Sequence, residues 1–180
     1  MIKTYNKKSA LASRRGRINR AEGAEFEKLI EISCEYYKEK GLAYIEKTPE
    51  PFRVTRKLDK GQFIGHFTKQ AQPDFKGTLK GGKVIVFDAK CTMTDSIQIT
   101  KLSDEQHYSL KRHDTLGALA GVLLCFSFKT FVWLPIFTFE NAKHYNGHQY
   151  WTAYEALKYG LEIRFTGSML DFEELITERI

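Results

Sequence analysis

The stretch that most constrains this chain runs from Gln72 to Lys90. It reads Gln72-Pro73-Asp74-Phe75-Lys76-Gly77, passes a turn at Gly81-Gly82, and continues as Val84-Ile85-Val86-Phe87-Asp88-Ala89-Lys90. Two short strands around a glycine turn form an antiparallel hairpin, in which an early residue of one strand lies opposite a late residue of the other. Asp74 is thereby predicted to stand beside Asp88. Lys90 follows Asp88 by two positions, and residues i and i+2 of a strand share a face. Two carboxylates and an ammonium are expected to converge at one end of this hairpin.

The whole chain is long enough to bury one such hairpin in one domain. Its 180 residues are 42% hydrophobic and 28% charged, as in an ordered globular protein and too short for two comfortable cores. No apolar run reaches the ~20 residues of a membrane span, and the basic N-terminus lacks the apolar region of a secretory signal. Cys34, Cys91 and Cys125 are odd in number and widely spaced, which argues against a disulfide framework or a zinc ribbon. A cytoplasmic location is expected.

Charge is segregated. The net charge is +6, yet residues 1–20 carry +7 with no acid among them, and residues 51–72 carry +4. Such separation suggests a polyanionic partner met by two discrete elements. Residues 1–18 show no apolar periodicity and read as a mobile basic arm, with its Arg14, Arg15 and Arg17, and Arg20 just beyond it, as candidate DNA contacts. Residues 19–180 read as a single domain. Its first helix begins near Asn19, buries Phe26, Leu29, Ile30, Ser33, Cys34 and Tyr37, and stops at Gly41. Glu27 sits at the edge of that stripe, on the border between core and solvent. A strand over Leu42–Thr48, carrying Lys47 as a further candidate DNA contact, ends at Pro49 and Pro51.

The excursion at 52–72 interleaves Arg53, Arg56, Lys57, Lys60 and Lys69 with Phe63 and Phe67. A two-stranded projection turning near Asp59-Lys60-Gly61 suits it, and its composition suits base stacking combined with phosphate neutralisation. After Lys90 come a strand-like stretch to Thr100, a capping box at Ser103–Gln106 opening a helix that ends near Gly117, and two near-continuous apolar strands at 121–128 and 131–136. Continuous hydrophobicity indicates a sheet covered on both faces. Trp151, Tyr154, Leu157 and Lys158 lie at helical spacing, and a short acidic helix is expected over 171–179.

The hairpin's acids suit metal-assisted phosphodiester hydrolysis. Mg²⁺ prefers carboxylate and carbonyl oxygens, which Asp74, Asp88 and the Ala89 carbonyl can supply. Lys90 can orient an attacking water and offset transition-state charge. Singly, each aspartate is a common turn or strand-end residue; the Pro-Asp start and the Asp-Ala-Lys spacing after an apolar strand favour a site. Gly77–Lys83 mimics a phosphate-binding loop, but Val84 replaces the required hydroxyl residue and a hairpin replaces the strand-to-helix turn, so no nucleotide cofactor is expected. His144 and His148 lack a partner at metal-site spacing and read as surface residues. No nucleophile elbow is present. A nuclease and a non-catalytic nucleic-acid-binding protein both remain open on these residues.

The ordered set Gly23-Ala24-Glu25-Phe26-Glu27, Ile45–Pro51, Asp74–Gly77, Phe87–Lys90 and Gln106 resembles the RecU-type Holliday-junction resolvases of the PD-(D/E)xK nuclease superfamily, bacterial or bacteriophage. The resemblance covers roughly 19–135. It implies an α/β, restriction-endonuclease-like fold, a mixed central sheet flanked by helices, with residues 52–72 as a projecting basic hairpin stalk. It also implies a homodimer acting on four-way DNA junctions with Mg²⁺, for which Mn²⁺ can substitute. By the same resemblance Asp74 and Asp88 match metal ligands, Lys90 the catalytic lysine, Glu27 the first helix's acid at the metal, and Gln106 a catalytic glutamine near the phosphate. Asp88 stands where many relatives have Glu, and Gln72-Pro73 replace hydroxyl residues. A superfamily nuclease acting on duplex or flap DNA is the alternative within the enzyme class.

Overall fold

The computed structural model describes residues 7–49, 52–67 and 72–177, the side chains of 7–15, 52 and 67 excepted. In chain order the described residues form α1 (Lys7–Glu39), β1 (Ala43–Lys47), β2 (Phe52–Lys57), β3 (Phe63–Phe67), β4 (Phe75–Leu79), β5 (Val84–Thr92), β6 (Ser96–Gln98), α2 (Asp104–Thr115), β7 (Leu119–Phe126) and β8 (Thr130–Pro135). There follow α3 (Ile136–Glu140), α4 (Ala142–Asn146), β9 (Tyr150–Thr152), α5 (Ala153–Tyr159), β10 (Leu161–Glu162), β11 (Arg164–Phe165), β12 (Leu170–Asp171) and α6 (Glu173–Thr177). Six strands make one mixed sheet in the order β1-β4-β5-β7-β8-β10. Strand β5 is antiparallel to β4 and parallel to β7.

Both faces of this sheet are buried. On one, Phe26, Ile30, Cys34 and Tyr37 of α1 pack against Ile85, Phe87 and Ala89 of β5 and against Trp133. On the other, Val86, Val122 and Leu124 pack with Leu110 of α2 and with Phe139 and Trp151. The alternation along β5 therefore sends Phe87 and Ala89 toward α1, and Val86, Asp88 and Lys90 toward α2. The all-apolar run of β7 follows from the same sandwiching: each of its eight residues is buried. An aromatic stack runs through the α1 side, with Phe75 and Phe87 ring centroids 5.0 Å apart and Phe87 and Trp133 5.5 Å apart. Such pairs add about 0.5–1.5 kcal/mol beyond the area they bury.

The projecting hairpin is present. Strands β2 and β3 pair only with each other among the described residues, bulge between Val54 and Arg56, and turn through Asp59–Gly61, where Lys60 takes the left-handed conformation at φ 60°. Arg53, Arg56, Lys57, Lys60 and Phe63 are exposed on it.

Three expectations are corrected. The helix begins at Lys7, not near Asn19, so described residues of the expected 1–18 arm are helical. Ala10, Leu11, Ala12, Arg14, Arg15 and Arg17 are good helix formers that present no apolar stripe, so propensity was masked by the missing periodicity. Trp151 belongs to β9, not to the helix with Tyr154 and Leu157; it is buried and its indole N–H donates to the Phe139 carbonyl at 2.9 Å. His148 is not simply a surface residue: its ring stacks on Tyr150 at 3.6 Å between centroids and its Nε2 meets Glu155 at 3.0 Å.

Gly121 pairs with Phe87 on one side and Pro135 on the other. A Cβ there would lie 2.5 Å from the Leu134 carbonyl oxygen and 2.6 Å from the Trp133 ring. Gly121→Ala is therefore expected to destabilise the domain by about 1–3 kcal/mol through overpacking, read as a lower urea midpoint; an unchanged midpoint would refute this placement of Trp133.

Candidate active site

The register of the central hairpin sets the site. Phe75 pairs with Phe87, so the next step outward places Asp74 opposite Asp88, side chains on the same face. Asp74 is fixed by its Oδ2, which accepts the Ala89 backbone N–H at 3.0 Å. Asp88 is 0% exposed. Its Oδ1 accepts from Gln106 Nε2 at 2.6 Å and lies 3.5 Å from Lys90 Nζ, which is 3.9 Å from Asp74 Oδ2. Asp88 Oδ2 is buried without a hydrogen-bond partner among the described residues. An orphan of this kind costs about 1–3 kcal/mol.

Gln106 does two things at once. As the third residue of α2 it closes the capping box: its backbone N–H donates to Ser103 Oγ at 3.2 Å, and its Oε1 accepts the Ser103 N–H at 3.1 Å. The amide nitrogen of the same side chain is then left pointing at Asp88. A cap worth about 1 kcal/mol thus also aims the donor that holds the buried acid.

Burial pushes the Asp88 carboxyl up to about 8, the Lys90 ammonium opposing and the Asp74 charge reinforcing the rise. A buried acid with one oxygen free, beside a second carboxylate, is a donor set suited to a hard divalent cation. Asp74 and Asp88 would hold such an ion. When bound it would acidify water and neutralise phosphate charge.

Glu27 is not drawn into this pair. Its carboxylate meets Lys47 Nζ at 2.8 Å, Glu31 meets the same ammonium at 3.2 Å, and no group of three acids, histidines or cysteines gathers at metal distance among the described residues. Lys47, expected on DNA, is thus engaged by two acids, although it stays half-exposed and pairs in register with Phe75, next to Asp74. Arg17 and Arg20 are exposed on α1. The side chains of Arg14, Arg15 and Phe67, and all of Lys69, lie outside the described residues.

A cleft of about 450 Å³ opens beside Lys90, between α1 at Ile18, Asn19 and Glu22 and the segment from Lys90 to Lys101. Sequence reading missed it. The one available signal was Thr92, which continues the Asp88–Lys90 face at the next i+2 position.

Fold and site together define an α/β domain that presents two aspartates and a lysine at the end of a mixed sheet. The family model described as Recombination protein U, RecU, matches residues 21–178, and the chain belongs to that family. The match extends past residue 135, where the motif resemblance ended. The chain is similar to the Holliday junction resolvase RecU of Streptococcus gordonii, with 30% identity over 111 residues, 58% of this chain and 55% of that protein. It thus spans about half the length of the curated relative it matches. Among solved structures it is similar to Hjc, a Holliday junction resolvase of Archaeoglobus fulgidus, with 15% identity, a TM-score of 0.48, and coverage of 78% of this chain and 95% of that one.

The raised Asp88 value makes a stability prediction. An acid whose folded value lies above its unfolded one contributes stability that is full below the unfolded value of 3.8 and is lost as pH rises through about 8. Metal-free protein is expected to melt at falling temperature from pH 5 to 8. Asp88→Asn should flatten that slope and raise Tm at pH 8, by about 2–4 °C for each kcal/mol recovered. Melts in chelator with equal slopes for the two proteins would contradict it.

Proposed function

We propose that this chain is a structure-selective endodeoxyribonuclease that resolves four-way DNA junctions by divalent-cation-dependent hydrolysis. The observation that carries this is the convergence of Asp74, the buried Asp88 with its partnerless oxygen, and Lys90, which also lines a cleft. Membership of the RecU family and the name of the Streptococcus gordonii relative support the choice of substrate.

Each residue has a task in this reading. Gln106 and the Ala89 N–H fix one oxygen of each acid, leaving Asp88 Oδ2 free for Mg²⁺ or Mn²⁺. Lys90 is 17% exposed, enough to reach a phosphate or its attacking water while remaining beside both acids. It positions that water and offsets charge on the phosphate oxygens as the pentavalent transition state forms. The exposed hairpin β2–β3 brings Arg53, Arg56, Lys57 and Lys60 to the junction as phosphate contacts, with Phe63 as its aromatic contact. Two symmetric incisions require two sites on a two-fold axis, hence a homodimer. The compartment would be a bacterial cytoplasm, native or phage-infected. No described helix is long and apolar enough to cross a membrane.

Wild type is expected to cut a synthetic four-way junction in Mg²⁺, and Asp74→Ala, Asp88→Ala and Lys90→Ala to bind it but to cut at least about 100-fold more slowly. An inert wild type, or variants that cut normally, would sink the reading. Replacing 53–66 by a short Gly-Ser link should lower the preference for junction over linear duplex in a competition assay while leaving cation affinity intact; an undiminished preference would remove the hairpin from substrate selection.

A further inference from the structure

We infer that the cleft beyond Lys90 is the track along which the cut strand's sugar-phosphate backbone runs, with Lys101 as a phosphate contact outside the catalytic group. The inference rests on the nuclease reading and adds the site through which the strand is held.

Asp88, Lys90 and Thr92 succeed one another on one face of β5, so a strand presented to the two acids must pass over Lys90 and on toward Thr92. There the cleft begins. Beyond it the chain leaves β5 through Thr92 and Thr94, which hold one another: their hydroxyls are 2.7 Å apart, the Thr94 N–H donates to Thr92 Oγ1 at 3.1 Å, and the Thr94 hydroxyl donates to the Ser96 carbonyl at 3.2 Å. The wall is therefore fixed before any ligand arrives, which spares ordering cost on binding.

The charge of the cleft suits a phosphodiester. Two lysines, Lys90 and Lys101, line it against one acid, Glu22. Lys101 is exposed and has no ion-pair partner among the described residues, unlike Lys90, which faces both aspartates. The opposite wall is the part of α1 that carries Arg17 and Arg20, both exposed, flanking the cleft residues Ile18 and Asn19. Hydroxyl and amide groups between two cations form a lining that recognises backbone oxygens without regard to base.

The test is equilibrium binding of the full chain to a fluorescent four-way junction in chelator, so that no cutting is needed, across a range of NaCl concentrations. Lys101→Ala should reduce the steepness of log K against log[salt] by about 1, the loss of one phosphate contact, and Lys101→Arg should restore it. Asn19→Trp, a substitution on an exposed helix face that obstructs the cleft, should weaken binding about tenfold with an unchanged circular-dichroism melt. A Lys101→Ala slope equal to wild type overturns the track, as does an Asn19→Trp protein that is folded and binds normally. A wild type that binds but never cuts sinks the nuclease reading and leaves the slope to judge the cleft. A wild type that cuts with an unaltered Lys101→Ala slope sinks the cleft alone, and one that binds no DNA sinks both.

Discussion

Everything at this site depends on a carboxyl group held where no water reaches it. Asp88 sits in the middle of a sheet strand whose neighbours Phe87 and Ala89 are core residues, and its own exposure is zero. A carboxyl so placed resists ionising, and only donors built around it favour the charged form. Gln106, Lys90 and the Ala89–Asp74 bond are those donors and their supports. The helix that brings Gln106 starts where it does because Ser103 caps it, so a local rule of helix initiation is tied directly to the burial of an acid fifteen or more residues earlier.

The aromatic layer beneath the acids explains why their spacing is stiff. Phe75 and Phe87 are cross-strand partners whose rings stack at an interplanar angle of 12°, and Trp133 closes the stack edge-on. A slip of one residue between β4 and β5 would separate those rings and send Asp74 or Asp88 into the α1 core. Register and chemistry are therefore defended by the same contacts, on opposite faces of one hairpin.

The hairpin, its two acids, the lysine and the capping box were legible in the sequence because each depends on local period or local turn chemistry. What was not legible depends on partners distant along the chain. Periodicity cannot say that β5 lies parallel to β7, that Lys47 would engage Glu27, or that Trp151 would enter a two-residue-period strand against Ile97. The early start of α1 escaped because a helix without an apolar stripe leaves no periodic trace. The cleft escaped because its walls, residues 18–22 and 90–101, meet only in the fold. Glu27 was read correctly as a border residue, and its placement with Lys47 shows how little a border position says about which neighbour a carboxylate will choose.

One clasp in the core bears on the order in which the chain becomes native. The Ser33 hydroxyl accepts the Leu170 N–H at 2.8 Å, and the Tyr37 hydroxyl accepts the Phe172 N–H at 2.9 Å while donating to Asp171 at 2.7 Å. These contacts join residues 137, 135 and 134 positions apart. On a ribosome that adds about 5–20 residues each second, the buried hydroxyls of the first helix wait while the intervening residues are made before the segment that satisfies them emerges. The basic helix that walls the cleft is thus locked into place by a segment made 134 to 137 residues after the hydroxyls it satisfies.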